Sequence, residues 1–147
     1  MPSLLLSAIV GVLGGIAIGF QNPLAAMLGR RLGILESVFI IHVGGALVAG
    51  APLLLIGGGR LGAWRTVPPY AVAAGALGVV LIGAVAFTIP RIGVASAVAL
   101  IVAAQLVIGA WLDHHGYLGT TVRPVDMHRL IGIVLLLVGA WLVLRRR

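Results

Sequence analysis

Few residues in this chain can do chemistry, and most of those interrupt apolar runs. Gln21-Asn22 stands near the end of the first run, His42 inside the second and Gln105 near the middle of the fourth. An amide both donates and accepts hydrogen bonds, and an imidazole can also titrate. Inside hydrocarbon each must find a partner in protein or water, because an unpaired amide costs roughly 1–3 kcal/mol. Two arrangements meet that demand: hydrogen bonding between helices, or the lining of a wet path for a polar solute. Asn22 lies three residues after Gly19 and shares its face, which suits an interhelical bond. Gln21 sits about 100° further round the helix and suits a cavity or a packed contact equally. Gln105 divides the same way. His42 is either a neutral packing group or a proton carrier. Gln21, Asn22, His42 and Gln105 form the candidate substrate-binding set.

No catalytic constellation accompanies them. The chain has no nucleophile elbow, no HExxH and no P-loop. Its three acids, Glu36, Asp113 and Asp126, fall near the ends of apolar runs instead of pairing within them. Asp113-His114-His115 offers metal-type ligands without the spacing of a known site, so caps and interfacial hydrogen bonds are the expectation there. No enzyme activity, cofactor or metal is expected.

The elements that position these residues follow from composition. The 147 residues are 61% hydrophobic and 9% charged, where soluble domains run at about 25% charged. This is the composition of an integral membrane protein. Without cysteine there is neither a disulfide framework nor thiolate chemistry. The formal charge of +7 comes entirely from arginine among the basic residues. Those arginines punctuate the ends of apolar runs, as membrane-flanking charges do, so nucleic acid is not the expected partner. No basic region precedes the first run, so a cleavable signal peptide is not expected.

Five spans emerge in one transmembrane domain over residues 1–147, at about 4–28, 37–56, 70–88, 93–112 and 130–144. The fifth is short, roughly 22 Å at 1.5 Å per residue, with Arg129 and Arg145 expected to snorkel across the shortfall. A tight turn is expected at Pro90-Arg91 and a kink at Pro23, whose ring crowds the Gly19 carbonyl. Glu36 is expected to pair with Arg30 or Arg31. Gly11, Gly15 and Gly19 recur at four-residue spacing and leave one face of the first span open to close approach. Gly75 with Gly78, and Gly132 with Gly139, are read as further points of close packing. His42 and Gln21 lie equally far from the first turn and so at similar depth.

The residues also resemble a known family. Gln21 with Leu28-Gly29, Val43-Gly44, Pro69-Tyr70 and the Ile89-Pro90-Arg91-Ile92-Gly93 turn are similar to those of the YdcZ family, the five-helix branch of the drug/metabolite transporter superfamily. Gln105, then Asp113-His114-His115-Gly116-Tyr117-Leu118-Gly119, then Arg129-Leu130-Ile131-Gly132, complete the resemblance over nearly the whole length. Members usually place an asparagine four residues after the glutamine and a basic residue two further on; here Ala25 and Met27 occupy those positions. The resemblance implies an all-α membrane protein whose five helices are half of a ten-helix inverted-repeat transporter. The other half would come from antiparallel pairing, with a second copy or with a homologous five-helix subunit. It implies a secondary transporter of a small polar or amphipathic solute, working by alternating access in the bacterial cytoplasmic membrane. The alternative is a binding or regulatory subunit that transports nothing alone.

Arginines divide six to four between the two sides of a five-span topology, with Arg30, Arg31, Arg91 and Arg145–Arg147 on the richer side. So weak a bias is compatible with insertion in both orientations. C-terminal reporter fusions active on opposite sides of the membrane should therefore both give signal. Signal on one side alone would leave a paired homologous subunit as the arrangement.

Overall fold

A computed structural model describes residues 2–145 and is all-helical over its regular elements. The helices are α1 (Pro2–Arg31), α2 (Ile34–Leu55), the short α3 (Pro69–Val72), α4 (Ala74–Ile92), α5 (Val94–His115) and α6 (Met127–Leu144). Five segments are long and apolar enough to cross a membrane: Leu4–Arg31, Ile34–Leu55, Pro69–Ile92, Val94–His115 and Met127–Leu144. Each satisfies its backbone polar groups internally, as hydrocarbon demands. Arg146 and Arg147 lie outside the described residues.

The chain forms two compact units, Met1–Arg91 and Ile92–Arg147. In the first, α1, α2 and α4 pack through small residues. Ser37 of α2 donates its hydroxyl proton to the Ala25 carbonyl of α1 at 2.8 Å and is fully buried. The α1–α4 contact is so close that a Cβ on Gly29 would lie 3.0 Å from the Ala86 Cβ. Between α2 and α4, a Cβ on Gly83 would be in ordinary contact with Val38 and Ile34. Ala25, Ala26, Val38, Ile82, Val85, Ala86 and Ile89 are the buried apolar residues of this packing.

In the second unit α5 packs along α6, and the connection between them is fixed at both ends. Gly116 ends α5 in the left-handed region (φ 69°), and a Cβ there would collide with Val122 at 2.6 Å. Glycine is thus required twice, by backbone and by space. Asp126 caps α6 by accepting from the Arg129 amide at 2.8 Å, the usual role of an N-cap aspartate.

Several expectations at element ends need correcting. Pro90 does not make the turn: α4 continues through it to Ile92, and Gly93 at φ 83° breaks the helix. Pro90 cannot donate to the carbonyl one turn earlier, yet α4 runs on to Ile92, where the left-handed Gly93 stops it. Pro23 lies within α1, which runs on through it to Arg31. Glu36 pairs with neither Arg30 nor Arg31; its carboxylate folds over Gly33, in the space a side chain there would need. The Arg129 guanidinium is held by Asp113 and by the Arg123 carbonyl. Among the four glycines read as packing points only Gly78 meets a neighbour; Gly75, Gly132 and Gly139 have nothing within 4 Å of an added Cβ.

The same test separates Gly29 from Gly15, which also has open space around it. Gly29→Leu should destabilise the protein by about 1–3 kcal/mol, as overpacking does, read as a lowered melting temperature in detergent. Gly15→Leu should leave the melting temperature of the isolated chain unchanged and alter only cross-linking between chains.

Candidate functional site

On α1, Ala25 and Ala26 lie three and four residues after Asn22, and Gly29 lies three and four after them, which places all four on one stripe. All but the half-exposed Gly29 are buried, with Asn22 6% exposed. The stripe explains why the adjacent amides part company: Asn22 turns inward while Gln21, one position round the helix, is exposed. The Asn22 amide makes no hydrogen bond among the described residues, so the expected interhelical bond is absent within the chain. No fully buried side-chain nitrogen or oxygen among the described residues lacks a partner, so the Asn22 polar end keeps some accessible surface. The stripe continues toward the start of α1 through Gly19, Gly15 and Gly11, where no neighbouring atom comes within 4 Å of an added Cβ.

His42 is half-buried on α2. Its Nδ1 lies 2.8 Å from the Val38 carbonyl one turn earlier, and its Nε2 faces Gly78 of α4, where a Cβ would approach to 3.0 Å. A carbonyl only accepts, so Nδ1 is the donor in this contact, and in a neutral ring Nε2 would be the acceptor. Gly78 is the residue that makes room for that edge. No hydrogen bond joins Gln21, Asn22 and His42 to one another.

Gln105 belongs to the second unit, where the structure places it in a groove of about 550 Å³ between α5 and α6. From α5 the groove takes Gln105, Gly109 and Asp113 at four-residue spacing, and from α6 Arg129, Gly132 and Leu136. Missing side chains at Gly109 and Gly132 give the groove its width, since an added Cβ meets nothing within 4 Å at either. An ion pair closes one end: Arg129 Nη2 donates to Asp113 Oδ2 at 3.0 Å. Arg129 Nη1 donates to the Arg123 carbonyl at 3.0 Å, and the Arg123 amide donates to the Asp113 carbonyl at 2.8 Å. Toward the other end a second, wholly apolar hollow of about 320 Å³ shares Val102, Leu106 and Leu136 with the first and extends it to Ala140.

Asp113 was legible only as a cap or interfacial acid, and Arg129 only as a flanking charge. Their spacing across a polar loop gives no signal in the sequence, and the loop's fold brings them together. The neighbouring histidines are engaged as well. His114 Nδ1 accepts from the Val125 amide at 3.1 Å, and His115 Nδ1 lies 3.0 Å from the Trp111 carbonyl. His115 stacks on Tyr117 with ring centres 5.3 Å apart, and Trp111 leans on both rings. Leu118 takes a left-handed backbone (φ 56°), sparsely populated for a leucine.

A family model described as "Putative inner membrane exporter, YdcZ" matches residues 6–142. The chain belongs to this YdcZ family. It is a multi-pass protein of the inner membrane, and its family is one of membrane transporters, not enzymes. No match was found among curated proteins, and none among solved structures.

The His42 geometry makes a spectroscopic prediction. With ¹⁵N-labelled histidine, the neutral form of His42 should show the protonated shift at Nδ1 and the unprotonated one at Nε2. The opposite tautomer would mean that the Val38 carbonyl contact is not a hydrogen bond. Gly78→Val should disturb this resonance more than Gly75→Val, because only position 78 faces the ring.

Proposed function

We propose that this YdcZ-family chain exports a small polar or amphipathic solute by alternating access, as one half of an antiparallel dimer. The observation that carries the proposal is the α5–α6 groove, a pocket of drug-sized volume with apolar walls and a single amide, Gln105, along its length. Gln105 is the principal solute contact in this reading. In the unit Met1–Arg91, Asn22 with its unengaged amide, Gln21 and His42 are the remaining candidate solute contacts of this reading.

The dimer is supported by the stripe on α1. The buried surface of Asn22 and Ala26 continues without change of face into Gly19, Gly15 and Gly11, around whose added Cβ no atom lies within 4 Å among the described residues. Small residues on one face of a membrane helix favour close approach of another helix. A second five-helix chain inserted in the opposite sense would supply it and would generate an inverted repeat, the arrangement that places solute sites near the midplane. The partner is a second copy or a homologous five-helix subunit.

The test is solute flux in proteoliposomes holding the purified chain alone, with labelled amino acids and amphipathic dyes as probes. Transport above that of empty liposomes is expected for at least one probe. Gln105→Leu should lower it about tenfold, the upper range for one hydrogen bond. Its melting temperature should not change, because Gln105 is exposed in the groove and makes no hydrogen bond among the described residues. A lowered melting temperature with normal flux would make Gln105 a packing residue. Probe binding without flux would assign the chain to the non-transporting subunit class.

A further inference from the structure

The groove's polar end is specific about charge. Asp113 and Arg129 sit side by side there, each about one-third exposed. Arg129 spends one N–H on Asp113 Oδ2 and one on the Arg123 carbonyl, which leaves three of its five donors. Asp113 Oδ1 has no side-chain donor among the described residues. A free acceptor and free donors therefore stand together, with a net charge of zero. A purely anionic head reaching Arg129 meets the Asp113 carboxylate, and a purely cationic head reaching Asp113 meets the guanidinium. Like charges at such a contact are strongly disfavoured. A head that carries both signs can engage both groups at once.

Below the pair the chemistry changes in order. Gln105 lies eight residues before Asp113 on α5, about 12 Å along the helix. Beyond it the second hollow, from Val102 to Ala140, has only Ala, Val, Leu and Gly side chains on its walls. The groove thus reads from end to end as charged but neutral, then amide, then apolar.

We propose that the α5–α6 groove selects a net-neutral, zwitterionic head on an apolar tail, with the head on Asp113 and Arg129 and the tail along Leu106 and Ala140. This rests on the transport reading only in taking the groove as the solute site. A soluble amphiphile and a zwitterionic phospholipid share this chemistry.

The test uses three probes with one tail and different heads: N-decyl-N,N-dimethylglycine (zwitterionic), decyltrimethylammonium (cationic) and decanoate (anionic). Binding is measured to the full chain in nanodiscs. The zwitterion should bind about tenfold more tightly than either ion. Asp113→Asn should shift the preference to decanoate, and Arg129→Gln should shift it to decyltrimethylammonium. A merely structural ion pair would weaken all three probes alike. Gly132→Leu and Gly109→Leu fill the groove from positions where an added Cβ meets no neighbour, and each should abolish the preference. Equal binding of the three probes, or an undiminished preference in both filled variants, overturns the proposal. So does loss of the dimer in Gly132→Leu without any head-group preference, which would give the groove to a helix of a second copy. Displacement of the zwitterion by short-chain phosphatidylethanolamine, but not by phosphatidylglycerol, assigns the groove to a lipid; no displacement by either assigns it to a soluble amphiphile. Both results support the head-group rule, and displacement by phosphatidylglycerol as well contradicts it. Flux lost in Gln105→Leu without a head-group preference sinks this inference and leaves the transport reading standing. A preference without flux does the reverse.

Discussion

Hydrocarbon offers no hydrogen-bond partner, and this constraint governs every polar atom in the five spans. Backbone groups meet it by forming helices. Side chains meet it locally: Ser37 bonds the Ala25 carbonyl, Thr88 the Ala84 carbonyl and His42 the Val38 carbonyl. Each uses the spare lone pair of a helical carbonyl as acceptor. Gln21, Asn22 and Gln105 are the exceptions among the described residues, since none of these amides is so engaged. A polar side chain that the chain itself does not satisfy is set apart from those that serve packing. Its partner must come from water, a solute or another chain.

Glycine serves two opposite ends in this framework. At Gly29 and Gly78 it admits a neighbour, and an added Cβ would lie 3.0 Å from it, so that neighbour would have to shift. At Gly109 and Gly132 it preserves a void, because α5 and α6 stay in contact elsewhere along their length. The first use builds the small-residue core of the unit Met1–Arg91, and the second builds the groove of the unit Ile92–Arg147. Spacing does not distinguish them. Gly132 and Gly139 have the seven-residue separation of a packing stripe, yet both line hollows.

This difference marks how far the sequence could be read. The five spans were legible because uncharged apolar runs long enough to cross a bilayer are rare in soluble domains, and the polar residues stood out within them. Helix ends were less legible. Proline at position 90 looked like the turn, but α4 runs through it to Ile92, and Gly93 does the breaking. Glu36 looked like a partner for Arg30 or Arg31 by proximity, whereas an exposed pair gains little over solvation and the carboxylate lies over Gly33. Least legible was the groove's charged end. Asp113 and Arg129 are separated by sixteen positions, and only the loop, with Gly116 forced left-handed and Asp126 capping α6, brings them into contact.

The energetics of that contact suit recognition better than stability. A partly exposed ion pair is worth roughly 0–1 kcal/mol, since the Coulomb gain is offset by desolvation and by lost side-chain freedom. Breaking the Asp113–Arg129 pair would therefore cost the fold little. The loop is held by bonds that do not depend on it: the Arg123 amide to the Asp113 carbonyl, the Val125 amide to His114, and the Arg129 amide to Asp126. Two charges fixed in place by a backbone that does not need their mutual attraction are free to exchange it for the charges of a ligand. A deeply buried pair would lack this freedom, because separating its members would leave each desolvated and alone. The one-third exposure of both side chains is thus what lets a salt bridge at the end of a groove act as a reader of head groups.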